Sequence, residues 1–585
     1  MGTAGLAGPG RFTPMTVGEA IREILKPGGE TRFLNCQGEL LCGVSSVPAF
    51  YEERGYAPAW IGQKGMLPHA ADLVDAISEA GYHGLSSGDY HLHVLRNLIT
   101  DVELYTRIEA SLAPRTMASV DVLLTDAFLL YASHLHSGRV DPETVHAHWE
   151  AWVPEIDLAR TLSDAIANNR VHSALEELAP TNHEYRRLAM ALREYRELAR
   201  APEPPPVPDG RLLRPGARDP RVAYIRGKLA HSGDYPTTYL EDPLLYGEKL
   251  ETALRDFQAR HGLEKDGLVG KRTIARLNTS TTKKIRQIEL NMERWRWMPR
   301  DLGDRHVRVN IASFKLIAME KGETVLHSRV IVGKPFLSTP VFSEPMTYVV
   351  FRPYWNVPFT IAVEEILPKA REEPGYLEER NMEVLSGWEK DAEVVDPATI
   401  DWSRLSREYF PYRIRQKPGE GNSLGNIKFM FPNHHSVYIH DTSSRHLFQK
   451  DVRSLSHGCI RVEKPAELAK WVLEGTPGWD NEAVDEALQK AENRTVLLER
   501  PVRVHLMYFT AWTSTDGKLF FLDDVYGRDS RLDEALREKP PAARPGAAET
   551  ILPAPDINRL PVSRKSPDDL PAEALTEPVY NPLVE

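Results

Sequence analysis

Ile439-His440-Asp441-Thr442, then a polar loop, then Leu455-Ser456-His457-Gly458-Cys459-Ile460-Arg461 is the stretch on which the reading of this 585-residue chain turns. Val437 to His440 has strand character, so the ring at its end can be held on a rigid element while the loop folds back and presents Cys459 to it. A cysteine attacks as its thiolate, which a nearby imidazole and adjacent positive charge both favour. His440, His457 and Arg461 are the candidates for those roles. Gly458 lets the backbone turn sharply, after which neighbouring main-chain N–H groups can face a developing oxyanion. Residue types alone equally allow a small buried cysteine beside two incidental histidines. His434, His435, His440, His446, His457 and Cys459 crowd the region, but without His-Glu-x-x-His or paired-Cys spacing, so neither a metal nor a cofactor is expected.

Outward from this stretch the pattern is that of strands. Val307, Val309 and Ile311 alternate with polar residues, Thr324 to Val332, Thr347 to Phe351 and Ile427 to Phe431 are further strand candidates, and Pro465 opens a helix running to Leu473. These define a β-rich domain over 306–505. Residues 363–425, charged and aromatic without strand periodicity, read as an insertion, with Tyr376, Trp388 and Trp402 as candidate lid residues or equally as its private core. A C-terminal piece of strands and a short helix follows at 506–536, then a Pro-rich tail at 537–585 expected to be disordered.

Upstream, Leu250, Ala253, Leu254 and Phe257 recur at helical spacing, His261-Gly262 stops that helix, Asp266-Gly267 turns, and a second helix covers Arg272 to Leu277. This makes a small helical module at 214–280, joined to the β-rich domain by a helix at 281–305 carrying Ile285, Ile288, Met292 and Trp295. APEPPPVP at 201–208 begins a linker over 201–213. Before it, 45–200 is mostly helical, with apolar periodicity at 71–77 and 120–135, and 1–44 is a partly flexible segment. The fold class is multidomain α+β.

A net charge of -11 gives no broad attraction to nucleic acid. Three cysteines are too few for a disulfide scaffold; Cys36 and Cys42 could pair or simply pack, and Cys459 has no obvious partner. The N-terminus lacks the charged and apolar regions of a signal peptide, and no apolar run nears the length of a membrane span.

His440 followed by Ser456-His457-Gly458-Cys459-Ile460-Arg461 resembles the signature of the L,D-transpeptidase (YkuD-type) catalytic domain. Gln416-Lys417-Pro418-Gly419, Asn422-Ser423-Leu424-Gly425, Lys428 to Asn433, Tyr438 to Thr442 and Arg453 to Glu463 resemble the larger, multidomain branch of that family. Ala253-Leu254, Phe257-Gln258, His261-Gly262-Leu263, Asp266-Gly267, Val269-Gly270, Thr273 and Leu277-Asn278 resemble a peptidoglycan-binding domain, and Tyr51 to Trp60 with Gly84 to His91 resemble the scaffold region of the same enzymes. The resemblance implies Cys459 as nucleophile and His440 as base, with Ser456, His457, Gly458, Arg461 and Asp441 supporting the pocket. It implies peptidoglycan tetrapeptide stems as donor and acceptor, a 3-3 crosslink as product, other cell-wall synthases as candidate partners, and a place in the periplasm or cell envelope. A carboxypeptidase or other thiol hydrolase on the same stems, and a non-catalytic wall-binding scaffold, are the alternatives. In papain-like enzymes the nucleophile precedes its histidine, whereas here His440 comes first.

Overall fold

The computed structural model describes residues 15–537, apart from 27–33, 37–38, 44, 109–111, 147, 237–241, 390 and 515. Much of the expected flexible N-terminal segment, and the Pro-rich tail beyond Arg537, lie outside the described residues.

The first unit is helical and is organised around one long helix, Pro114–Ser137, of 24 residues. By length and composition this helix could cross a membrane, but 89% of its apolar window is buried inside the protein. Its buried carboxylates show why it belongs to a core. Asp121 accepts N–H bonds from Ala59 (2.8 Å) and Trp60 (2.8 Å) and the Tyr51 hydroxyl (2.7 Å). Asp126 accepts the Gly43 N–H at 2.6 Å and pairs with His91 at 2.9 Å. Each carboxylate thus satisfies orphan donors of the chain wrapped around the helix, which offsets the cost of burying it. Cys36 and Cys42 are both buried here and are not joined by a disulfide.

The linker does not dangle. Val207 is buried in the core of the small helical module, and its N–H and C=O bond the Asn278 side chain at 2.8 and 2.9 Å. That module has helices Arg221–His231, Glu248–Arg260 and Lys271–Leu277 around Val222, Leu254, Phe257 and Ile274. The helix Thr281–Arg296 leads onward, buries Ile288, Met292 and Trp295 as its periodicity predicts, and joins the scaffold core.

The third unit is a nine-stranded sheet: β1 Arg305–Asn310, β2 Lys315–Glu320, β3 Glu323–Gly333, β4 Phe342–Phe351, β5 Ile427–Met430, β6 Ile439–His440, β7 Ser454–Ser456, β8 Ile460–Val462 and β9 Arg494–Met507. The order is β7-β3-β8-β6-β5-β4-β9-β1-β2, and β2 pairs back onto β3, which closes the sheet into a ring. The pairing β6–β8 is parallel, with Ile439 opposite Ile460 and His440 opposite Arg461. Val332, Val349, Phe429, Ile439, Ile460 and Val504 fill its core, covered by the helix Pro465–Val472. β9 escaped the sequence reading because Pro501 interrupts its alternation, and the register with β4 shifts there, between Leu497 and Val502.

The insertion between β4 and β5 is more ordered than its sequence pattern suggests. It holds a four-stranded antiparallel sheet of Val394–Val395, Met382–Leu385, Arg413–Gln416 and Trp355–Asn356, beside a helical run from Phe359 to Glu372. Its strands are two to four residues long, and Met382 to Leu385 are all buried, so no period of two is visible. Its own core includes Val357, Ile366, Val384, Phe410 and Ile414.

The units interlock. Trp149, Val140, Leu290 and Trp297 belong to the core of the β-domain, while Phe509, Ala511 and Phe521 from its C-terminal end belong to the scaffold core. Trp149 forms a parallel bridge with Val341, and the final helix Arg528–Arg537 packs Leu532 and Leu536 on the β-domain.

Candidate active site

Ile439 and Ile460 are fully buried in the sheet core, and strand side chains alternate between faces. His440 on β6 and Arg461 on β8, paired in register, therefore share the opposite face, and Tyr438 and Cys459 immediately precede these two strands. The Ile460 N–H donates to the Tyr438 carbonyl at 3.0 Å, which locks the entry of Cys459 into β8 beside β6. A histidine and a cysteine some twenty residues apart in sequence thus become neighbours across one strand pair.

His440 is buried, and its Nδ1–H donates to the Asp441 carbonyl at 2.6 Å. That bond fixes the tautomer and leaves the Nε2 lone pair to accept a proton. Burial first, and then the positive charges of Arg461 and Lys428, push its pKa down to about 3, so the resting ring is neutral. Lys428 is itself buried opposite His440 in the register, with Nζ 3.9 Å from the Tyr438 ring centre. Arg461 is partly buried, which lowers its pKa, while the charge of Cys459 acts in the opposite direction. The attraction is reciprocal, so this cation favours negative charge on the sulfur. The Cys459 Sγ lies 4.0 Å from the Ser436 carbonyl and is partly exposed.

The turn that presents the sulfur is held from two sides. Ser456 Oγ donates to the Cys459 carbonyl at 2.6 Å and accepts the Gly458 N–H at 3.2 Å. The Gly458 N–H is therefore engaged in the turn itself and is not an oxyanion donor. Gly458 has φ +117°, a conformation that L side chains rarely adopt. Thr339 Oγ1 donates to the Gly458 carbonyl at 2.7 Å and accepts the Gly333 N–H at 2.9 Å, and the Tyr526 hydroxyl caps the Gly333 carbonyl at 2.6 Å. Gly333 and Thr339 lie six residues apart at the end of β3, and Tyr526 joins them from 193 residues away.

His457 is engaged with the insertion, bonding Glu365 through Nε2 at 2.5 Å. Glu365 sits in a π-helical turn, Ala362–Ile366, just before Pro368 in the same helical run. Asp441 is likewise engaged elsewhere. Its carboxylate accepts the Asn426 N–H at 3.0 Å and pairs with Arg445 at 2.8 Å, closing the loop that ends the insertion. Of the lid candidates, Tyr376 and Trp402 pack on the insertion's own core, with Arg380 over the Tyr376 ring at 3.9 Å and the Trp402 indole bonding Pro397 at 3.1 Å. Trp388 lies outside that core and is half-buried. His446 is exposed on a short helical turn, and His434 and His435 lie together at Glu150.

Three stretches of the chain match known domain families. Residues 304–479 match the model of the L,D-transpeptidase catalytic domain, 218–277 that of the "Putative peptidoglycan binding domain", and 45–192 that of the scaffold domain. A Haemophilus influenzae protein named "Putative L,D-transpeptidase" is 38% identical over 260 residues, which are 44% of this chain and 51% of that protein. The chain thus spans about half the length of this relative. Among solved structures, an L,D-transpeptidase of Xylanimonas cellulosilytica is 16% identical, covering 51% of this chain and 98% of its own, at a TM-score of 0.15. One of Stackebrandtia nassauensis is 13% identical, covering 52% and 97%, at a TM-score of 0.20. Superpositions at that level carry no weight here. Residues 304–479 thus match an L,D-transpeptidase catalytic domain of the YkuD type, in a chain that also matches a peptidoglycan-binding domain and a scaffold domain.

Proposed function

We propose that the chain is a peptidoglycan L,D-transpeptidase that forms 3-3 crosslinks between peptide stems, working in the periplasm or cell envelope. The observation that carries this reading is His440, oriented through Nδ1 by the Asp441 carbonyl and paired in register with Arg461 on the strand that Cys459 enters. Nε2 of His440 takes the Cys459 thiol proton as the sulfur attacks the carbonyl between the third and fourth residues of a tetrapeptide stem. The C–N bond breaks, the proton passes to the departing nitrogen, and the terminal D-amino acid leaves behind a thioester. The side-chain amine of a second stem attacks that thioester, its proton passes through His440 to the departing sulfur, and an amide is formed. The module at 218–277 supplies the wall polymer with a second point of attachment.

The Glu365–His457 contact supports a part for the insertion as a cover over the acyl-enzyme, where exclusion of water favours amine over water as acceptor. Incubation of the full chain with a disaccharide-tetrapeptide, followed by mass spectrometry beside a Cys459→Ala control, tests the reading. A cysteine-dependent 3-3 dimer is expected. Tripeptide alone would make the enzyme a carboxypeptidase, and no cysteine-dependent product would leave a binding protein.

A further inference from the structure

In the loop that leads into β6, two consecutive histidines converge on one carboxylate oxygen. Nε2 of His435 is 2.5 Å, and Nε2 of His434 3.0 Å, from Oε1 of Glu150. The three donor atoms lie within 4.8 Å of one another, and the two imidazole rings are 4.0 Å apart between centres. The residues come from different units: Glu150 follows the scaffold segment that bridges to Val341, and the histidines sit in the loop between β5 and β6.

Both sides are braced. The Glu150 N–H donates to the Val341 carbonyl at 2.9 Å, and the Val341 N–H donates to the His148 carbonyl at 2.9 Å. Across the loop, Asn433 Nδ2 donates to the carbonyls of Phe431 (2.6 Å) and Val437 (2.8 Å), while its Oδ1 accepts the Val437 N–H at 3.1 Å. The His435 ring is held against Phe342 at 5.2 Å and His148 at 5.7 Å between centres. A second carboxylate is close: Glu344, on β4, has its pKa raised by burial and by the negative charge of Glu150. The site therefore gathers two imidazoles, one shared carboxylate and a further carboxylate within electrostatic reach, held by backbone on both sides.

We propose that Glu150, His434 and His435 form a binding site for a divalent transition metal of the zinc class, tying the scaffold to the catalytic domain. Imidazole and carboxylate together suit this class, and two histidines with one glutamate leave a fourth position for water. In the metal-free arrangement each Nε2–H donates to Oε1. On binding, the ring protons move to Nδ1, the Nε2 lone pairs turn to the ion, and Oε1 retreats by roughly half an ångström to reach metal-ligand spacing. The site is next to the catalytic machinery without being part of it, since Ser436, beside His435, carries the carbonyl that faces the Cys459 sulfur.

The test is a titration of Zn2+ into the full chain carrying Cys459→Ala, which removes the competing thiolate, read by calorimetry and repeated with Co2+ as a spectroscopic probe. One equivalent should bind, and Co2+ should give the visible bands of a four- or five-coordinate nitrogen and oxygen site. His434→Ala and Glu150→Gln should each weaken binding at least about tenfold. His434 is 73% exposed, so its substitution leaves the fold intact and isolates the ligand effect. Absence of stoichiometric binding by the Cys459→Ala chain, or binding unmoved by both substitutions, would overturn the proposal.

Discussion

His440 and Arg461 act on the same sulfur in different ways, and that difference can be measured. In the proposed mechanism His440, buried and oriented by the Asp441 carbonyl, is the proton acceptor. His440→Ala should therefore lower acyl transfer by about 10² to 10⁴ while leaving substrate binding largely intact. Arg461 moves no proton, but its charge favours the thiolate, and its Nε is buried without a hydrogen-bond partner among the described residues. Arg461→Gln should slow alkylation of Cys459 by iodoacetamide several-fold at pH 7, with a smaller loss of turnover than His440→Ala. Equal alkylation rates in the wild type and Arg461→Gln would remove the cation from the account.

At the scale of elements, the site depends on how closely the end of β3 approaches the cysteine turn. A Cβ on Gly333 would sit 2.0 Å from the Leu337 carbonyl oxygen and 3.1 Å from the Gly458 Cα, and all of these are backbone atoms that cannot swing aside. Gly333→Ala should therefore cost about 1–3 kcal/mol in urea unfolding and displace the turn that presents Cys459. Turnover should fall further than stability alone explains, and a variant with wild-type turnover and stability would contradict the packing. The sequence made part of this site legible and hid the rest. His440 and the Ser-His-Gly-Cys run stood out because their chemistry is local and their spacing matches a known signature. Thr339, Tyr526 and Glu365 did not, because their contacts with Gly458, Gly333 and His457 span 119, 193 and 92 residues, and no local pattern encodes them. The same holds for the fold. Helices with a clear 3.6 period, such as Glu248–Arg260, and alternating strands such as β1 were readable, whereas β9 with its proline and the short strands of the insertion gain their order only from the sheets they join.

Over the whole molecule, interlocked units make stability a shared property, and buried histidines are distributed through them. His134 packs on Tyr90 inside the scaffold, and His306 and His505 lie together at one end of the β-domain. His146 stands 5.2 Å from Trp149 and 6.4 Å from Trp297, where scaffold and β-domain meet. His261 lies between Phe257 of the small module and Phe521 of the C-terminal hairpin. Burial is the leading cause of a lowered pKa in all of these, to about 4 for His306, about 3 for His505 and His440, and about 2 for His146. His134 and His261 are held well below the usual range. Each imidazole is neutral in the folded chain and takes up a proton near pH 6.5 once unfolded. The unfolded state therefore binds more protons below pH 6.5, so the stability present above that pH is lost progressively as the pH falls toward 4 and below. Each such residue contributes a slope of up to about 1.4 kcal/mol per pH unit. Calorimetry should show a melting temperature that falls steadily from pH 7 to pH 5, above the range where most carboxylates titrate, with proton uptake on unfolding. Because His146 and His261 sit where units meet, the transitions of scaffold, module and β-domain should move down together. A melting temperature constant between pH 7 and pH 5, or proton release on unfolding, would show that these rings are charged or exposed in the folded chain.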